Sequence, residues 1–135
     1  MTGFHSFSVG ALLLLALAVL SCGSSRQLQS VSIQPAQATA NGSSVKFAAT
    51  GTFSKPPSPQ TLTGKDVTWC ASLVKGSCPG NANPGAILDQ NGVAQCVQGF
   101  AGTTYIMAGT LGAASMKPDG GAPYKVYGSA TLTCP

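Results

Sequence analysis

Apolar alternation with a period of two, cut every few residues by turn-forming residues, is the feature that most limits what this chain can fold into. In "SSVKFAATGTFS", Val45, Phe47, Ala49 and Phe53 fall on one side. Such spacing suits a strand with one buried face, and the spacing of an amphipathic helix is hard to find in the same region. "LQSVSIQP" aligns Val31 with Ile33, and "KDVTWCAS" sets Val67 and Trp69 opposite Cys70. "GTTYIMAG" is a further strand, and "YKVYGSATLTC" aligns Val126, Ala130 and Leu132. "GAILDQNGVAQCV" reads as a hairpin, with Asn91-Gly92 suited to a type I′ turn. "KPPSPQTLTG" reads as a loop, because its prolines forbid a central strand, and "KPDGGAP" as a turn-rich loop. The expected fold is all-β: one sandwich of about seven antiparallel strands in two sheets.

The N-terminal end is of another kind. Val9 to Leu20 is an unbroken apolar run. It is shorter than the roughly 20 residues a spanning helix needs and has the length of a signal-peptide core. The leading "MTGFHSFS" holds no Lys or Arg. The run ends in Val19-Leu20-Ser21-Cys22, which resembles the lipobox of bacterial lipoproteins: an aliphatic residue, a small residue, then Cys. The resemblance implies cleavage before Cys22 and diacylation of its thiol. The chain then divides into a signal helix at 1–21, a flexible tether at 22–29 and a β domain at 30–135. Two or more acyl chains hold a protein stably, since each buried CH₂ adds about 0.8 kcal/mol. The expected location is the cell envelope, anchored in a lipid bilayer, and the outer membrane where the host has one, because Gly23 follows the Cys. An ordinary secretory signal, cut near Ser21 or Gly23, would make the protein secreted.

The chain has five cysteines. With Cys22 assigned to lipid, Cys70, Cys78, Cys96 and Cys134 remain, an even number that fits two disulfides in an oxidising compartment. A zinc site is a poor reading, because there is no C-x-x-C pair and no partner His. Lys and Arg total seven against three acidic residues, all Asp. The mild basic excess can favour anionic surfaces. The lysines are single and scattered, so no nucleic-acid face is expected. The only His is His5, inside the signal segment, which leaves no Ser-His-Asp or Cys-His arrangement for the mature chain. A carboxylate pair would have to come from Asp66, Asp89 and Asp119, which sit at a strand opening and beside turn signals. The expectation is therefore no enzyme, no cofactor and no metal. Trp69 is expected in the core, as for a Trp on the third strand of a sandwich. Phe100, Tyr124 and Tyr127 are the candidates for an exposed aromatic platform that would bind sugar; partial burial at loop bases is the structural alternative. "NGS" at 41–43 matches a glycosylation acceptor and reads equally as a turn.

The order "LQSVSIQPAQATA", "VKFAATGTFS", "DVTW", "AILDQNGVAQC", "GTTYIMAG" resembles the bacterial immunoglobulin-like domain, group 2, of intimin- and invasin-type surface proteins. The likeness covers about residues 28–108. It implies an Ig-like fold and a spacer, adhesive or protein-interaction role at the cell surface, with no catalytic residues. The chain departs from the family in its single copy and in its four cysteines. In an Ig-like frame of alternating strands, all four thiols collect at one pole. Four cysteines allow three connectivities. The favoured one ties Cys70 to Cys78 as a loop staple and Cys96 to Cys134 as a hold on the last strand; the facing of Cys96 leaves the alternatives open. Expected partners are the bilayer, through acylated Cys22, and a surface protein or polysaccharide. A carbohydrate-binding module, secreted or envelope-bound, is the competing reading.

Overall fold

The computed structural model describes residues 23, 25–78, 84–112 and 121–135. Cys22, residues 1–21, Asp119 and most of the "KPDGGAP" loop lie outside the described residues. Among the described residues all regular structure is strand: β1 Leu28–Gln34, β2 Gln37–Thr39, β3 Val45–Lys46, β4 Ala48–Phe53, β5 Gln60–Leu62, β6 Thr68–Ser72, β7 Ser77–Cys78, β8 Ala86–Leu88, β9 Val93–Cys96, β10 Gly102–Leu111 and β11 Ala122–Cys134. They form a sheet β1-β4-β5, a sheet β2-β11-β10-β6 with β7 added on β11, and a sheet β3-β9-β8.

Phe47 alone separates β3 from β4. One stretch of chain therefore carries both smaller sheets. The Phe47 N–H donates to the Gly92 carbonyl at 2.8 Å, and its ring is fully buried. Apolar residues from all three sheets share one core. Ile33, Ala49 and Leu62 come from the first sheet, and Ala94 from the third. Trp69, Ile106 and Leu132 come from the five-stranded sheet. The period-two pattern of the sequence is what aims these side chains inward.

Four details differ from the sequence expectation. The opening strand changes partner. Pro35 has no N–H to continue the β1–β4 ladder. The Ala36 carbonyl instead accepts from Thr131 N at 3.0 Å, and β2 runs parallel to β11. The proline-rich segment is not all loop: β5 follows Pro59 and pairs with β4 alone, so it is an edge strand and the prolines precede it. The hairpin turn is not type I′. That type needs positive φ at both central residues, and only Gly92 has it, at +81°. Gly92 N donates to Asp89 O at 3.1 Å and Asp89 N to Val93 O at 3.0 Å, a type I turn closed by a glycine bulge. The Asp89 carboxylate selects it by accepting the N–H groups of Asn91 (2.9 Å) and Val93 (2.8 Å).

The fourth difference concerns the thiols, which do not gather at one pole. Cys134 lies opposite Gly102 at one end of the β10–β11 ladder. Cys70 lies opposite Met107 in mid-strand, and Cys78 opposite Ala122 at the other end of β11. The alternating-strand frame missed this because residues 73–78 do not stay at the pole where β6 ends. They turn back over the outer face of the large sheet. Gly76 N donates to Met107 Sδ at 3.1 Å, and Tyr124 N donates to Gly76 O at 3.1 Å. Cys70, Met107 and Tyr124 form a second, small apolar cluster beneath this segment. The large sheet is thus buried on both faces, and Ile106, Met107 and Ala108 are consecutive residues with no exposure.

Candidate functional site

The cysteines are bonded in two pairs, Cys70 with Cys78 and Cys96 with Cys134, each with Cα atoms 5.8 Å apart. The first spans 8 residues and fastens the returning segment to β6. The second spans 38 residues and joins β9 to the last residue of β11. Trp69 and Cys70 point to opposite faces, one into the main core and one into the small cluster, as neighbours on a strand must.

The three aromatic candidates do not make one exposed surface. Tyr124 is only 9% exposed, and its hydroxyl donates to the Thr68 carbonyl at 2.9 Å. Burial pushes its pKa up well beyond the ordinary phenol value. Tyr127 is half-buried and stacks on Tyr124 with centroids 5.5 Å apart. These two residues are three apart, an odd spacing that would normally place them on opposite faces. The β10–β11 register explains why they meet. Thr110 faces Val126 and Leu111 faces Tyr124, so Lys125 is an extra bulge residue that resets the alternation. Phe100 sits two residues before β10, half-buried against the main core and the backbone of Gly85. Gly102 and Leu111 mark opposite ends of that strand, so Phe100 and the tyrosine pair are separated by about 30 Å at the usual strand rise.

The two carboxylates among the described residues are spent on local turns. Asp66 accepts from Thr63 N and Thr63 Oγ1, both at 2.8 Å. These bonds, the backbone one first, hold its pKa below the ordinary value. Asp89 is held low as well, first by the Val93 N–H. A general acid needs a raised pKa, and neither group has one. Among the described residues, no three His, Cys, Asp or Glu gather as metal ligands. Asn41 to Ser43 lie in an exposed turn with Gly42 at φ +73°.

A cleft of about 210 Å³, which the sequence did not single out, opens where the three sheets meet. Lys46, Thr61, Thr63, Trp69, Gln90 and Asn91 are among its walls. The Gln90 side chain acts there as a short piece of strand. Its Oε1 accepts from Trp69 N at 3.1 Å and its Nε2 donates to Trp69 O at 3.2 Å. This pairing satisfies the outer edge of β6, which would otherwise present free backbone groups. Lys46 Nζ donates to the Asn91 carbonyl. The walls offer hydrogen bonds and one positive charge, with no carboxylate or imidazole to make an acid–base pair. The signal for this cleft in the sequence is Asp89-Gln90-Asn91-Gly92, visible as a turn but not as a lid on β6. Compared with known proteins, the chain matches no family model, and no curated protein matches it.

Proposed function

We propose that this chain is a non-catalytic bacterial immunoglobulin-like domain of the group 2 kind, a β-sandwich displayed at the cell envelope. Its role is structural or adhesive, through contact with an envelope protein or polymer. Acylated Cys22 holds it to a membrane, which is the outer membrane where the host has one.

One observation carries the reading: the way the first strand divides between two layers. β1 pairs antiparallel with β4, and β2 pairs parallel with β11, the last strand. With β4, β9 and β8 linked through Phe47 on one side and β6, β10 and β11 on the other, this order supports an Ig-like sandwich. Two cysteine pairs suit an oxidising compartment outside the cytoplasm. Turn-bound carboxylates and the lack of an acid–base pair in the cleft suit a module that binds or spaces rather than reacts. Burial of Tyr124 weighs against the carbohydrate reading, whose aromatic platform included it with Phe100 and Tyr127.

The test is the intact mass of the protein taken from its host's membranes, together with fractionation of Cys22→Ala. An acyl-sized mass increase, and loss of membrane association in the variant, are expected. An unacylated mature chain in the medium overturns the anchoring, and hydrolysis of any envelope polymer by the purified protein overturns the non-catalytic role.

A further inference from the structure

We infer that the fold sorts the two Asn-Gly pairs of the chain: Asn41 is a site of spontaneous deamidation, and Asn91 is locked against it. Asn41-Gly42 and Asn91-Gly92 are the two places where Asn precedes Gly. The inference is independent of what Cys22 carries. The chemistry open to both pairs is the same. The Gly nitrogen gives its proton to solvent and bonds to the Asn Cγ, and the side-chain amide leaves as ammonia. Water then opens the five-membered imide at either carbonyl. The product is Asp, or the isoaspartyl form in which the backbone runs through the side chain. Water is the only co-reactant. A glycine lets its nitrogen approach because it has no Cβ. The step still needs an Asn side chain free to swing, a Gly N–H that can leave its partner, and room for the peptide between them to rotate.

The Asn91 turn denies all three. Asn91 N donates to Asp89 Oδ1 at 2.9 Å, and Asn91 Nδ2 donates to Asp89 Oδ2 at 3.5 Å. The Asn91 carbonyl accepts from Lys46 Nζ. Gly92 N donates to Asp89 O at 3.1 Å, and the Gly92 carbonyl accepts from Phe47 N at 2.8 Å. One carboxylate, one ammonium and one buried strand junction thus hold both sides of the peptide that has to turn. Space is closed as well. A Cβ on Gly92 would lie 2.5 Å from Phe47 O and 3.0 Å from Trp69 Cζ2. Phe47 and Trp69 belong to the main core, so the Asn91-Gly92 peptide cannot rotate without disturbing that core.

The Asn41 turn allows all three. Residues 41–44 are exposed throughout. Among the described residues, no hydrogen bond holds the Asn41 side chain. Gly42 N donates to Ala40 O at 3.0 Å, a bond that closes on the same exposed turn and leaves the core untouched when it opens. A Cβ on Gly42, at φ +73°, would meet nothing within 4 Å. A turn of this kind opens at little cost, whereas one tied to core strands opens only with them. The product is felt nearby. Ala40 is buried, and its N–H donates to Thr133 O at 3.0 Å, so the isoaspartyl backbone would begin directly after the β2–β11 pairing. Gly42 also lines a small hollow with Gln95 and Cys96, which places the change beside the Cys96–Cys134 bond.

Protein purified from its host and held in warm, mildly alkaline buffer tests this, with and without guanidinium chloride. Peptide mapping by mass spectrometry follows the amide-to-acid change at Asn41 and Asn91 over time. In the folded protein Asn41 should convert, and Asn91 should convert at least about tenfold more slowly, because its turn must open first. In denaturant the two should convert at similar rates. Equal rates in the folded protein overturn the inference. So does the same rate ratio with and without denaturant, which would assign the difference to neighbouring residues and not to the fold. A glycan on Asn41 in the host protein also overturns it, since the substituted amide is no longer free to leave. Asp89→Ala removes the carboxylate that holds Asn91 and should raise Asn91 conversion in the folded state. Lys46→Gln leaves Asp89 in place and should raise it by a smaller factor. Unchanged Asn91 conversion in both variants, each shown to be folded by circular dichroism, overturns the lock.

Discussion

The two faces of the five-stranded sheet are buried by different means. The inner face carries a core drawn from all three sheets, and each member is aimed inward by simple alternation. The outer face carries three buried residues, Cys70, Met107 and Tyr124, under a short crossing segment. That cluster is held by a disulfide, a bulge at Lys125 and two hydrogen bonds of Gly76, its N–H to Met107 Sδ and its carbonyl from Tyr124 N. The inner core holds because many side chains fit together. The outer cluster holds because a few specific links pin a segment that buries little apolar area itself.

The largest expected effect lies on the inner face. Phe47→Ala should cost about 3–5 kcal/mol in denaturant unfolding, the usual range for removing a fully buried ring. A cost below that of any outer-face change would break the distinction between the two faces. The disulfides come next. By loop closure, the 38-residue bond contributes about 4 kcal/mol and the 8-residue bond about 2.5 kcal/mol. Paired Cys→Ser variants should therefore differ, with loss of Cys96–Cys134 the more severe. Amide exchange should place the damage in β11 for that pair, and only in residues 73–78 and the start of β11 for Cys70–Cys78. Global unfolding on loss of the shorter bond would show that the outer cluster is no satellite.

Tyr124→Phe should cost about 1 kcal/mol, the net value of one buried hydrogen bond. It also carries a pH signature. The folded chain holds the Tyr124 proton, while the unfolded chain gives it up near pH 10, so stability should fall as pH rises above about 10. Tyr124→Phe should remove that part of the alkaline fall; an unchanged alkaline limb would mean the hydroxyl is not buried in solution. The smallest effect is expected at Asp89, in the exposed turn between β8 and β9. Its pKa is lowered in the fold, so its contribution is present above about pH 4 and lost as pH falls below. Asp89→Asn should flatten that acid limb slightly, read by thermal melts from pH 2 to 6. A full-sized acid limb in the variant would assign it to other groups.

Much of the fold is legible along the chain, because the signal for a half-buried strand is local. The alternation around Phe47 and the Trp69-Cys70 pair can be read from a few residues each. The turn at Asp89 to Gly92 is visible for the same reason, although its type depends on what the Asp89 carboxylate captures. The cleft is not legible in this way. Gln90 looks like an ordinary turn residue until β6 lies beside it.

The sequence by itself determined that the described part of the chain is all-β with inward and outward faces, because a period of two leaves few other ways to bury Val, Phe, Ile and Leu. It also determined that the chain has five cysteines and a single histidine, His5. Only the tertiary structure decided that the chain would pass from pairing with β4 in β1 to pairing with β11 in β2, that residues 73–78 would recross the sheet, and that Tyr124 would be buried on its outer face. Each of these depends on backbone groups far apart in the chain finding one another. A register, a bulge or a parallel pairing is set by that long-range match of hydrogen bonds, which no local pattern encodes.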